Sequence, residues 1–178
     1  MTIAHDVERV LAAAYGEPHR AYHTAAHIAE VLGWYDWVAD EVGWQQPVDV
    51  YLAVVFHDAI YDPLAKDNEA RSAQLARLLA NASDRTVELI ELTARHGTLE
   101  PAAIDADAAH FLDCDTAILG APAAEFDAYD AAIAIEFEQV PGDAFRAGRK
   151  AFLAGMLARP RIFLSELFHA RLDDAARA

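Results

Sequence analysis

The sequence predicts an all-α protein, a compact bundle of many helices. Three observations carry that expectation. Apolar residues recur at spacings of three and four almost from end to end, strand-like alternation is hard to find, and capping and breaking residues fall where the periodic stretches stop. No internal repeat, low-complexity segment or Gly/Ser linker interrupts the 178 residues, so the chain reads as one domain over 1–178.

The elements follow in order. A first helix is expected from about Asp6 to Tyr15, stopped by Gly16 with Pro18 beyond it. A second, from about His23 to Val42, carries Ile28, Val31, Leu32 and Tyr35 on one stripe and ends at Gly43. Pro47 suits the start of a third helix reaching about Ile60. Asp67 precedes a fourth to about Leu79, and Ser83 or Asp84 caps a fifth that ends near His96, with Gly97 after it. "DADAAHFLDCDTAIL" makes another helix, closed by Gly120. Further helices are expected from about Pro122 to Gln139, from Asp143 to Leu157, and after Pro160.

Composition narrows the function. A formal charge of −15 and a pI near 4.7 repel nucleic-acid backbones, which argues against a nucleic-acid partner. A small phosphorylated ligand would need local Arg, Lys or a cation to offset that field. The single cysteine, Cys114, forms no intrachain disulfide and suits a reducing compartment. The first residues lack a signal peptide, and no apolar run approaches the ~20 residues of a membrane helix. A cytoplasmic protein with no membrane role is the expectation; oligomeric state is open. Trp34, Tyr35 and Trp37 read as core aromatics in preference to a pocket or interface lining.

Several polar residues do not belong in a helical core. "YHTAAHI" places His23 and His27 four apart, on one face of the expected second helix. In "VVFHDAIYD", His57 and Asp58 follow a strongly apolar run, and Asp62 comes four residues after Asp58. Adjacent helix residues point about 100° apart, so His57 and Asp58 can share one ion only at a helix end or from opposite sides of it. In "FLDCDTAILG", Asp113 and Asp115 sit among apolar neighbours, suited to ligating a cation or orienting a ligand histidine. His96 closes a helix, where it can instead meet the last carbonyls. Taken singly, each has an ordinary explanation as a core-margin or surface residue. Jointly they form a mixed nitrogen and oxygen donor set suited to Mn, Fe, Co, Ni or Zn, with Mg a poorer fit.

Those residues, in that order, resemble the HD superfamily of metal-dependent phosphohydrolases, whose signature is H…HD…D on a helical bundle of the cyclic-phosphodiesterase-like type. His27 matches the first histidine, His57 and Asp58 the central pair, and Asp115 the closing aspartate. The stretches "EPHRAYHTAAHI", "FHDAIYDP", "DNEARSA", "FLDCDTAILG", "FRAGRKAFL" and "RPRIF" resemble a bacterial branch of predicted metal phosphohydrolases and span roughly residues 17 to 163. "YHTAAH" is also similar to the HNxxH stretch of cyclic nucleotide phosphodiesterases, with Thr24 in place of Asn.

The resemblance implies hydrolysis of a small phosphorylated, nucleotide-like substrate, with a metal held by His27, His57, Asp58 and Asp115. It makes His23 a candidate general acid and gives Asp58 a second task, orienting the attacking water. Asp62 and Glu69 are candidates for a base or for a hydrogen-bond partner of a ligand. Arg20, Arg71 and His96 are candidate substrate contacts, whereas Arg146 and Arg149 read as structural ties of the C-terminal helices. Other members of the superfamily bind ligands without turnover or oxidise substrates at a di-iron centre, so a regulatory module and an oxygenase stand as alternatives.

Overall fold

A computed structural model describes residues 4–178, and these form helices and short 3₁₀ turns with no strand among the described residues. Among the described residues nine α-helices run in chain order: α1 (His5–Ala14), α2 (Ala25–Glu41), α3 (Pro47–Phe56), α4 (Asn68–Ala80), α5 (Asp84–Thr93), α6 (Ala106–Thr116), α7 (Ala123–Glu136), α8 (Gly142–Ala158) and α9 (Glu166–Arg177). No helix among the described residues is long and apolar enough to cross a membrane.

Helix α3 occupies the centre because its sequence is apolar on every side. Val50, Ala53, Val54, Val55 and Phe56 are all buried, and α2, α4, α5 and α6 pack around them. Pro47 begins it, where a missing backbone N–H costs nothing. Ser83 caps α5 by accepting from the Thr86 N–H at 3.1 Å, and Asn81 ends α4 in the left-handed conformation at φ 49°. Trp34 and Trp37 pack on Phe168 of α9, with the Arg171 guanidinium over both rings.

Helix α5 stops at Thr93 and α7 at Glu136, each about three residues short of the sequence expectation, and two further helix ends differ for a tertiary reason. Helix α2 begins at Ala25, not His23, because Thr24 is extended and caps it by accepting from the Ala26 N–H. The preceding N–H groups of Ala21, Tyr22 and His23 all turn to one carboxylate oxygen of Glu136. His23 and His27 therefore do not share a helix face, although their rings lie 5.8 Å apart. Helix α3 stops at Phe56 rather than Ile60 because side chains take over the polar groups beyond it. Arg20 donates to the carbonyls of Asp58 at 2.7 Å and Ala59 at 3.2 Å, and the Ser72 hydroxyl accepts from the Ile60 N–H at 3.0 Å.

Buried acids fasten the loops. Asp107 accepts from the Gln45 and Gln46 N–H groups and so holds the α2–α3 connection. Asp113 accepts from Leu164 and Ser165, both at 2.7 Å, and Asp173 from Ile162 and Phe163, so α6 and α9 grip the segment that leads into α9. Asp113 is thus spent on backbone and not on ligation. Burial pushes its carboxyl up to about 7 despite these bonds. Cys114 is a buried free thiol.

Candidate metal centre

The α2, α3 and α6 helices meet where His27, His57, Asp58 and Asp115 converge. His27 lies in the first turn of α2, its ring against that of His57 at 5.5 Å. His57 is the residue just past α3 and still has helical dihedrals, while Asp58 has already left the helix. That break allows two adjacent residues to face one point. Asp115 comes from the last turn of α6.

One donor atom from each of the four lies within 4.8 Å of all the others. Asp115 Oδ1 stands 3.1 Å from His27 Nε2 and 3.2 Å from His57 Nε2, while Asp58 Oδ2 stands 3.1 Å from His57 Nε2 and 3.7 Å from His27 Nε2. Both histidine side chains are buried, and the Asp58 and Asp115 side chains retain 18 % and 19 % exposure. The cluster therefore reaches solvent through its carboxylates.

The hydrogen bonds show what the cluster requires. His57 Nδ1 donates to the Val54 carbonyl at 2.9 Å, since a carbonyl can only accept. That leaves the Nε2 lone pair directed at two carboxylate oxygens, an arrangement that is repulsive until positive charge sits between them. Burial lowers the His57 pKa, but Asp58 and then Asp115 outweigh it and hold the imidazole well above its ordinary value. Burial likewise raises both carboxyls, yet His57 above all holds Asp58 and Asp115 below their usual range. The field thus draws positive charge to the convergence point. Two imidazole nitrogens and two carboxylate oxygens fit a divalent transition metal there, with His57 already oriented by its carbonyl partner.

Beside the cluster lies an arrangement that the sequence did not disclose. His23 Nδ1 donates to Glu136 Oε2 at 2.6 Å, the Tyr61 hydroxyl donates to the same oxygen at 2.8 Å, and Glu136 Oε1 takes the three N–H groups of residues 21 to 23. The Glu136 side chain is 0 % exposed. Burial works against charge on His23, but Asp58 and Glu136 prevail and raise its pKa. The carboxyl of Glu136 is raised by burial and lowered more strongly by His23, down to about 2. Its one sequence signal is an acid set between Ile133, Ile135 and Phe137 at the end of α7. On the other flank, the Tyr22 ring packs 4.8 Å from that of His27, and burial followed by Asp115 pushes its hydroxyl pKa up.

The remaining candidates are placed as follows. The Arg20 side chain is 0 % exposed, with Nε on Glu17 and its other nitrogens on the carbonyls of His23, Asp58 and Ala59. It lies between the rings of Tyr15 and Tyr61 and braces the two segments carrying His23 and Asp58. His96 is buried in a 3₁₀ turn and donates from Nε2 to Thr116, whose hydroxyl is itself committed to the Leu112 carbonyl. Burial pushes His96 down to about 4, so its imidazole is neutral near pH 7. Asp62 is exposed and accepts from the Leu64 N–H in its own turn. Arg71 is exposed near Asp67, and Glu69 is half-buried at the start of α4. Among the described residues, no hydrogen bond or ion pair joins Asp62, Glu69 or Arg71 to the four converging side chains. Arg149 ties α8 to α7 through Asp130, whereas Arg146 pairs with Asp143 within its own helix.

No family model matches this chain, and no curated protein or solved structure matches it.

Proposed function

We propose that the chain is a metal-dependent phosphohydrolase of the HD-domain type, acting on a small phosphorylated, nucleotide-like substrate. The observation that carries this reading is the convergence of His27, His57, Asp58 and Asp115, in the order H…HD…D, with their donor atoms within 4.8 Å of one another.

A divalent cation bound there supplies Lewis acidity towards a phosphoryl oxygen and a water of lowered pKa. The chain's own residues do the rest. His57 is fixed by the Val54 carbonyl, which leaves Nε2 as the atom that would hold the cation. Asp58 and Asp115, partly exposed, are the ligands through which substrate and water approach. His23, with its Nδ1 proton committed to Glu136, presents Nε2 as the end that delivers a proton to the leaving oxygen. Glu136 is a positioning residue: it fixes the tautomer and, through three backbone N–H groups, the loop on which His23 stands. Arg20 becomes a positioning residue as well, in place of a phosphate contact.

The test is metal content per chain by elemental analysis after reconstitution with Mn, Fe, Co, Ni or Zn, for the wild type and for Asp58→Ala and Asp115→Ala. Near one equivalent in the wild type, lost in both variants, together with hydrolysis of p-nitrophenyl phosphate or nucleoside monophosphates by the wild type alone, is the expected result. A metal-loaded protein that hydrolyses no phosphate ester leaves a metal-binding module, and no metal uptake removes the reading altogether.

A further inference from the structure

Anionic substrate and acidic protein pose a problem that the metal cluster solves only in part. The chain carries a formal charge of −15, and the cluster itself contributes two carboxylates. A phosphorylated ligand therefore needs cationic or hydrogen-bond donors within reach that are not already spent. Arg20 is spent on carbonyls, and Arg159 donates to the carbonyls of Gly97 and Leu99.

A line of side-chain contacts runs from His27 of the cluster through Tyr22 and Tyr129 to Arg149. The Tyr22 ring lies 4.8 Å from that of His27 and 4.6 Å from that of Tyr129 on α7. The Arg149 guanidinium, from α8, lies 4.8 Å from the Tyr129 ring centroid, and its Nη1 donates to the Tyr129 hydroxyl at 3.2 Å. Arg149 Nε is held by Asp130 at 2.7 Å, which fixes the plane of the fork. Among the described residues, two buried polar groups along this line have no hydrogen-bond partner: the Tyr22 hydroxyl and Arg149 Nη2. Leaving such a group unsatisfied is costly, and buried donors of this kind call for a specific explanation. Both are donors, and a phosphate's oxygens are acceptors whose spacing a guanidinium fork matches.

We propose that Tyr22 and Arg149 form the anion-binding arm of the site, donating from the Tyr22 hydroxyl and Arg149 Nη2 to phosphoryl oxygens of the substrate held at the four-residue cluster. The inference rests on the phosphohydrolase reading for the identity of the anion. Arg149 thereby has two roles, tying α8 to α7 through Asp130 and reading the substrate's charge.

The test uses the full chain loaded with manganese and inorganic phosphate as the probe, titrated by calorimetry. Variants are Arg149→Ala, Arg149→Lys and Tyr22→Phe, with metal content and helical circular dichroism recorded for each. Arg149→Ala is expected to bind phosphate about 10-fold more weakly, with Lys restoring only part of the loss, because a charge-assisted hydrogen bond is removed. Tyr22→Phe, which keeps the ring, is expected to weaken binding about threefold. Unchanged affinity in Arg149→Ala with metal retained overturns the arm and leaves the hydrolase reading intact. Should Arg149→Ala fail to fold, unchanged affinity in Tyr22→Phe overturns it instead. A wild type that takes no metal yet binds phosphate through Arg149 keeps the arm and removes the hydrolase reading; binding of neither removes both.

Discussion

Glu136 joins two kinds of work in a single side chain. It accepts from three successive backbone N–H groups, from His23 Nδ1 and from the Tyr61 hydroxyl, so its charge is compensated by donors of this chain. Replacing it by Gln keeps the shape, removes the charge and places an N–H₂ group against donors. The expected loss is about 2–3 kcal/mol of stability at neutral pH by chemical denaturation. A fall of about 10- to 100-fold in kcat with KM little changed should accompany it, because His23 loses its orientation. The pH dependence has a definite sign. The carboxyl titrates at about 2 in the folded chain against an ordinary 4.5, so its contribution is full above about 4.5 and is lost as pH falls towards 2. The stability gap between wild type and variant should close over that window. A gap that stays constant down to pH 2 would remove the charge of Glu136 from this account.

At the level of elements, the site depends on where helices stop. His57 and Asp58 can face one point only because α3 ends between Phe56 and Asp58, and Arg20 and Ser72 make that ending possible by taking the polar groups beyond it. Helix α6 continues into a 3₁₀ turn (Ala117–Gly120) on which α9 rests. There a Cβ on Gly120 would stand 2.8 Å from Leu172 Cβ and 3.1 Å from its carbonyl oxygen. Gly120→Ala is therefore expected to push α9 away and lower the melting temperature by about 5 °C, through overpacking. Metal uptake should persist, because the four converging side chains come from α2, from the residues just past α3 and from α6. Gly155, in α8, has nothing within 4 Å of its Cβ position. Gly155→Ala should be neutral or stabilise by up to about 1 kcal/mol. Equal thermal melts for the two variants would contradict the close-approach argument.

For the molecule as a whole, the proposed metal ties three helices together and offsets carboxylates brought together by folding. Ligand that binds only the folded chain stabilises it by about 2.7 kcal/mol at 100 times its dissociation constant. Thermal unfolding of the manganese-loaded protein should therefore drop by about 5–10 °C when a chelator is added. The Asp115→Ala variant should melt at one temperature with or without chelator. A wild type indifferent to chelator would mean that the cluster holds a proton where we place the metal.

Much of this was legible in the sequence by itself. The all-helical class and most helix boundaries follow from periodicity, caps and breakers, which are interactions between residues close along the chain. Ser83 and Pro47 mark their boundaries locally. The four converging side chains were also visible, because two histidines and two aspartates against apolar runs need partners in any fold. That Asp113 is spent on backbone and that Glu136 joins His23 was decided only by tertiary structure. Asp113 and Asp115 are two residues apart in one helix, yet Asp113 meets backbone N–H groups 51 and 52 positions away while Asp115 meets His27, 88 positions away. Glu136 reaches His23 across 113 residues, and Arg20 reaches Asp58 across 38. Periodicity assigns a side chain to a face; its partner at such separations is chosen by how whole helices pack, and that choice separates a member of the cluster from a fastening.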